Sequence, residues 1–400
     1  GLPERLALDL RIAAGDGAPV LLPIPGDPVR LGGADLTLAF DPAADEGWRI
    51  AGRLSALDAP AVAIEAVTLE GSGRIARQPG GAQAVGGTVR YAALGLAPAD
   101  PALAQALGEA ITGRLRFNWL AGGALRVPEL AIEGEGLGAG AAFTISTADR
   151  PTVEGRISAE VADFARLSGL AGRPLGGAGR MEVEGATVPL DGTFDARASV
   201  AGTDLRTGIA ELDGLLAGAA TVALDAARDT TGTTVRALTL RAGTLAVDAQ
   251  GTIRTARTDF TARARFDDLR VLGPAYSGAL AADLRIGEAE GADRLRLNGT
   301  ARDLAVGVRE LDSFLRGTTA LSVDAVHRDG TVTLEGLRID GPSIAARAAG
   351  TVTPGEPLAA ALTASVTLPD LARLGPPWGG ALTAEARLDA AGGRDAVALA

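Results

Sequence analysis

Apolar and polar residues alternate with a period of two along most of this chain, and that pattern constrains the fold more than any other feature. Leu36, Leu38 and Phe40 alternate with Asp35, Thr37 and Ala39. Leu115 and Phe117 sit between Arg114, Arg116 and Asn118, and Leu295 and Leu297 follow Arg294 and Arg296. The same rhythm carries Val183, Val222 and Leu224, Leu245 and Val247, Leu321 and Val323, Val332 and Leu334, and Leu362 and Val366. A period of two puts one set of side chains on each face of a strand, so each run predicts a half-buried strand of an antiparallel sheet. Turn pairs separate the runs: Gly122-Gly123, Asp191-Gly192, Thr231-Gly232, Asp329-Gly330, Glu356-Pro357 and Gly392-Gly393. Hairpins in series make a meander. Roughly 25 strands advancing ~4.8 Å each would extend about 120 Å.

Helical pattern is scarce. Its best case starts at Asp100 as cap with Pro101 in the first position, continues through Leu103, Leu107 and Ile111, and closes at Gly113.

The chain also repeats itself. Glu211-Leu212-Asp213-Gly214-Leu215 returns 99 residues later as Glu310-Leu311-Asp312-Ser313-Phe314, and Gly251-Thr252-Ile253 returns as Gly350-Thr351-Val352. Asp268-Leu269-Arg270-Val271-Leu272 parallels Asp370-Leu371-Ala372-Arg373-Leu374, with a looser copy at Asp163-Phe164-Ala165-Arg166-Leu167. The implied unit is several strands and a one-turn helix, begun by Asp and ended by Gly. Such repeats share a continuous sheet with their neighbours. The expected divisions are an N-terminal β segment at 1–112 and β repeats at 113–211, 212–310 and 311–400.

Composition narrows the function. Among 400 residues the net charge is −11, and every one of the 38 basic residues is Arg. An acidic chain lacks the positive field that phosphate backbones require, so nucleic acid is not the expected partner. Cysteine is absent, which removes disulfides, thiolate metal sites and thiol nucleophiles. The 55 glycines suit frequent turns. The stretch 136–148, uncharged and as long as any in the chain, is too short for a membrane helix. Opening at Gly1 and stopping at Ala400 inside an alternating run, the sequence reads as a segment of something longer.

No motif points to catalysis. His327, the single histidine, sits beside the Asp329-Gly330 turn and is expected in solvent. The Gly134–Gly140 run has no lysine after it, which excludes a phosphate loop of the Walker type. Asp267 and Asp268, or Asp41 with Asp45 and Glu46, lack the spacing of a calcium loop. Asp268 is better used as a helix cap. Arg263 and Arg265 are expected to pair with acids on adjacent strands. Trp48, Trp119 and Trp378 are expected in the core. The chain is therefore read as a non-enzyme without cofactor or metal.

The Asp370–Gly375 segment, the Gly379-Gly380-Ala381-Leu382 that follows, and the Gly-Thr-Ile and Gly-Thr-Val punctuation of Thr-rich strands resemble the repeated β region of the TamB family, AsmA-like envelope proteins of Gram-negative bacteria. The resemblance spans most of the chain, most clearly from Gly113 to Ala400, and rests on repeat grammar. It implies a curved antiparallel sheet, taco-like in section, with an apolar groove inside. It implies a periplasmic segment of a protein anchored in the inner membrane by an N-terminal helix outside this sequence. It also implies phospholipid acyl chains as ligands, passage between inner and outer membrane, and a TamA-like outer-membrane barrel as a partner.

The expected fold is thus all-β, an elongated curved antiparallel sheet with a few short helices. The eighteen alternating apolar residues named in the first paragraph are the expected groove lining, with Ala249, Ala325 and Ala384 leaving space between them. A second reading keeps the fold and makes it a scaffold that helps insert outer-membrane β-barrels by strand addition. A third is a stalk whose core is filled by its own side chains.

Overall fold

A computed structural model describes residues 6–13, 19–22, 27–41, 47–77, 83–147, 150–254, 257–289, 291–354, 359–391 and 394–399. Asp45, Glu46, Glu356-Pro357 and Gly392-Gly393 lie outside them. The chain divides into two compact units, Gly1–Gly208 and Ile209–Ala400.

The first unit holds β1 (Leu6–Ala13), β2 (Val20–Leu21), β3 (Arg30–Asp41), β4 (Gly47–Ala59), β5 (Val62–Arg77), β6 (Gln83–Pro98), β7 (Ala110–Leu120), β8 (Leu125–Gly134), β9 (Leu137–Ser146), β10 (Thr152–Val161), β11 (Gly176–Val188) and β12 (Thr193–Arg206). Strands β1 and β2 lie end to end beside β3, and from β3 onward each strand pairs antiparallel with the next. The second unit repeats the plan with β13 (Ala219–Asp229), β14 (Gly232–Ala242), β15 (Leu245–Arg254), β16 (Arg257–Phe266), β17 (Tyr276–Ala289), β18 (Ala292–Val306), β19 (Thr318–Arg328), β20 (Thr331–Asp340), β21 (Ala345–Thr353), β22 (Ala359–Leu368), β23 (Leu382–Ala391) and β24 (Arg394–Leu399). These too form an uninterrupted antiparallel meander. The fold is all-β and open; it does not close into a barrel.

Meander topology sends every even-to-odd connection to one edge of a sheet and every odd-to-even connection to the other. The second edge carries tight hairpins such as Asp329-Gly330, both residues at positive φ (49° and 77°), as the sequence predicts. The first edge carries the helical turns. The helix Pro101–Leu107 begins as expected, its Asp100 cap accepting from the Ala102 N–H at 2.8 Å. It ends five residues early, at Gly108 (φ 74°), and Ile111 and Gly113 belong to β7. The β-branched pair Ile111-Thr112 gains more from the ladder beside β6 than from another helical turn.

The repeat has two helical turns, not one. Between β10 and β11, β16 and β17, and β22 and β23 lie 3-10 turns capped by Asp163, Asp268 and Asp370, each accepting from the N–H two residues on. The other turns, Ala210–Leu215 and Arg309–Asp312, have no side-chain cap. Successive turns lean on one another: Gln105 donates to the Ala165 carbonyl, Arg373 donates to the Ser313 carbonyl, and Gly214 lies against the Val271 carbonyl. In the second unit the larger buried apolar side chains gather along this edge. Leu215, Leu269, Phe314, Leu315 and Ile344 are there, the last three packed with Leu304, Val366, Leu371 and Leu374.

Each repeat carries a bulge at an equivalent place, and two of the three carry a second irregularity. Strands β8, β14 and β20 each carry one extra residue relative to their neighbours, which places Glu129, Arg236 and Glu335 at bulges. At β11/β12 and β17/β18 a second irregularity pairs Gly177 (φ 87°) with Asp204 (φ 52°), and Gly278 (φ 97°) with Asp303 (φ 50°). A Cβ at Gly177 or Gly278 would run into the facing carbonyls, so the bend requires glycine there.

Candidate functional site

Register decides which residues share a face. In the first unit, rows of direct cross-strand partners join Leu36, Leu38 and Phe40 on β3 to Gly52, Ile50 and Trp48 on β4. They continue through Leu69, Gly71 and Gly73 and through Tyr91, Val89 and Gly87 to Gly113, Leu115 and Phe117 on β7. Val183 on β11 joins the same face through Leu130, Ala141 and Ile157. In the second unit, Val222 and Leu224 face Leu240 and Leu238, which face Val247 and Ala249. Leu245 lies alongside on the same face. The rows run on to Leu295 and Leu297, to Ala325, Val323 and Leu321, to Leu334 and Val332, and to Leu362 and Val366. Ala384 is opposite Val366. Within each unit, all the residues expected to line a groove fall on one apolar face. Phe40 is buried and the others are half-buried, so the face is partly open.

The bulges keep that face continuous. Across each one the apolar spacing changes from two to three, as in Val127 to Leu130, Val235 to Leu238 and Leu334 to Leu337, and the strand resumes with the same side inward. Without the extra residue, one half of each strand would turn its apolar set to the wrong side.

One stretch of the apolar face is hollow. A cavity of about 500 Å³ lies over β8 to β12, lined by Leu130, Phe143, Val153, Ile157, Val183 and Phe194. Its floor is a row of minimal side chains, Gly155 opposite Gly185, with Ala196 beyond. Of its lining, the sequence reading named only Val183; Phe143, Ile157 and Phe194 stand in strands whose alternation is broken by glycine. In β4 to β7 the equivalent space is filled. Trp48 lies over Gly73 and Gly87, its indole N–H donates to the Gly86 carbonyl at 3.1 Å, and its ring stacks on Phe117 at 6.3 Å between centroids. Trp48 thus packs as expected. Trp119 and Trp378, at 44% and 59% exposed, do not: Trp119 sits at the hairpin end of β7, and Trp378 in the loop after the last 3-10 turn, where no second layer reaches.

The opposite face is a ladder of ion pairs. Arg114 and Arg116 meet Glu129, and Arg263 donates to Asp283 at 2.9 Å. Arg265 pairs with Asp267, and Arg241 binds Asp248 with two hydrogen bonds. Bulge residues take part: Arg236 pairs with Asp225, and Arg294 bridges Asp324 and Glu335. The hydrogen bonds from Arg294 hold the Asp324 carboxyl below the usual carboxylate value. Arg270 does the same for Asp268, which also keeps its capping role. His327 is exposed at the end of β19. Among the described residues no three acidic or histidine side chains come together as a metal site. No described helix is long and apolar enough to cross a membrane.

No protein-family model matches the chain, and no curated protein is similar to it. The likeness to the TamB family therefore rests on the residues themselves.

Proposed function

We propose that this chain is a middle segment of a periplasmic bridge that carries phospholipids between the inner and outer membranes, holding their acyl chains on the apolar face of its sheets. The observation that carries the reading is the apolar face itself: continuous by register in each unit, open to the outside, and kept on one side by a bulge in every repeat. A filled stalk would bury this face under a second layer, and burying it is worth roughly 25 cal/mol per Å². Leaving it open is costly unless a ligand covers it. Acyl chains ask for no polar partner, and the face offers few. The ion-pair ladder behind it keeps the other side in water. In this reading the chain is not an enzyme, and an outer-membrane barrel of the TamA kind is its partner through regions outside this sequence.

The test is native mass spectrometry with lipid extraction on the chain purified gently from a bacterial envelope. Bound phospholipids, lost on Leu224→Asp with Val366→Asp in a protein that keeps its circular dichroism, are the expected result. A folded, lipid-free chain would overturn the proposal.

A further inference from the structure

The polar face of the second unit holds one arrangement that its ion-pair ladder does not absorb. Arg338 on β20 and Arg347 on β21 are direct cross-strand partners. Like charges set directly opposite destabilise a sheet unless countercharge is supplied. Other facing arginines in the described ladders have it: in Arg90–Arg114 the second partner meets Glu129, in Arg254–Arg257 it meets Glu288, and in Arg285–Arg296 it meets Asp324. Among the described residues, neither Arg338 nor Arg347 is in an ion pair.

Their surroundings suit an oxyanion. The row through them continues to Ser322 on one side and Ser365 on the other, so the two guanidinium groups are bracketed by hydroxyls. Arg338, Arg347, Thr363 and Ser365 line a hollow of about 590 Å³ on the polar face. Glu335 and Glu385 share that lining; Glu335 is already held by Arg294, and Glu385 stands beyond Ser365 in the row. The bulge at Glu335-Gly336 bends β20 beside this row.

We propose that Arg338 and Arg347 form a binding site for a phosphoryl group. Two planar guanidinium forks offer paired N–H donors to two oxygens each, and the Ser365 hydroxyl donates to one left over; the Thr363 hydroxyl is already given to the Ala349 carbonyl. Inorganic phosphate and a phosphate ester such as a lipid headgroup present the same oxygens to it. The site lies on the face opposite the apolar one and does not depend on the lipid-carrying reading.

The test is isothermal titration of the 400-residue chain with inorganic phosphate, against chloride at matched ionic strength, alongside flotation with phosphatidylglycerol vesicles. Saturable phosphate binding is expected, weakened about tenfold or more in Arg338→Gln with Arg347→Gln, because each guanidinium gives charge-assisted hydrogen bonds. The lysine pair, Arg338→Lys with Arg347→Lys, keeps both charges without the forks and is expected to fall between. Vesicle binding lost in the glutamine variant assigns the site to headgroups; phosphate binding without vesicle binding assigns it to a free anion. Equal phosphate affinity in parent and glutamine variant, or no phosphate-specific heat in the parent, would overturn the proposal. Removing two opposed charges breaks no ion pair, so the variants are expected to melt no lower than the parent.

Discussion

Two rows of paired glycines cross the apolar face of the first unit, and they have opposite fates. In β4 to β7 the row reads Trp48, Gly73, Gly87, Phe117; in β9 to β12 it reads Phe143, Gly155, Gly185, Ala196. Glycine pairs leave a trough in both. In the first row an indole long enough to span two strands lies over the trough and stacks on the aromatic at its far end. In the second, the atoms nearest a Cβ at Gly155 are the Ala142 carbonyl oxygen and the Cα and Cβ of Phe143, the row ends in alanine, and the trough stays open. Space on this face is therefore set by whether one ring covers the glycines. Elsewhere the face changes by single residues in the same way: Thr319, which stands at the position Ala220 holds in the preceding repeat, is fully buried.

The largest effect should come from emptying the filled row. Trp48→Ala is expected to cost about 3 kcal/mol in urea unfolding, the lower end of the aromatic-to-alanine range because Trp48 is only half-buried. It should also open a second hollow that binds a fluorescent fatty acid; unchanged binding would break the comparison. Gly87→Ala keeps the ring but places a Cβ against it and is expected to cost about 1–3 kcal/mol through overpacking. Filling the open row should do the reverse: Ala196→Leu is expected to change stability by no more than about 1 kcal/mol while lowering fatty-acid affinity several-fold. The smallest effect separates these rows from the ladder behind them. Asp324 stays ionised to lower pH in the fold than in the unfolded chain, so its contribution is complete above its ordinary value of 3.8 and is lost as pH falls below that. Asp324→Asn should flatten the acid limb of the stability profile without altering fatty-acid binding.

Much of this was legible in the sequence, because period two and register express the same geometry. Within each unit, residues such as Leu36 and Leu115 or Leu224 and Val366 could be assigned to one face since each occupies its place in an alternating run. The bulges were harder to see. Their signature, apolar residues three apart where two is the rule, appears in Val127/Leu130, Val235/Leu238 and Leu334/Leu337, yet one such spacing alone looks like a break in pattern. The end of the helix at Gly108 was missed because Leu103, Leu107 and Ile111 keep helical spacing although Ile111 serves the strand. The 500 Å³ hollow had no sequence signal, since it comes from Gly155 and Gly185 meeting across β10 and β11. Nor does sequence reveal that Arg338 faces Arg347, nine residues on and across a turn.

The meander has one more consequence, for how such a chain is made. Every strand from β4 to β12, and every strand from β13 to β24, finds its partners in its immediate sequence neighbours. Closing each hairpin costs only the entropy of a short loop, and no pairing waits for a distant segment. A chain emerging end-first from a ribosome or a translocation channel can lay each new hairpin onto the edge already formed, so within each unit assembly keeps pace with delivery.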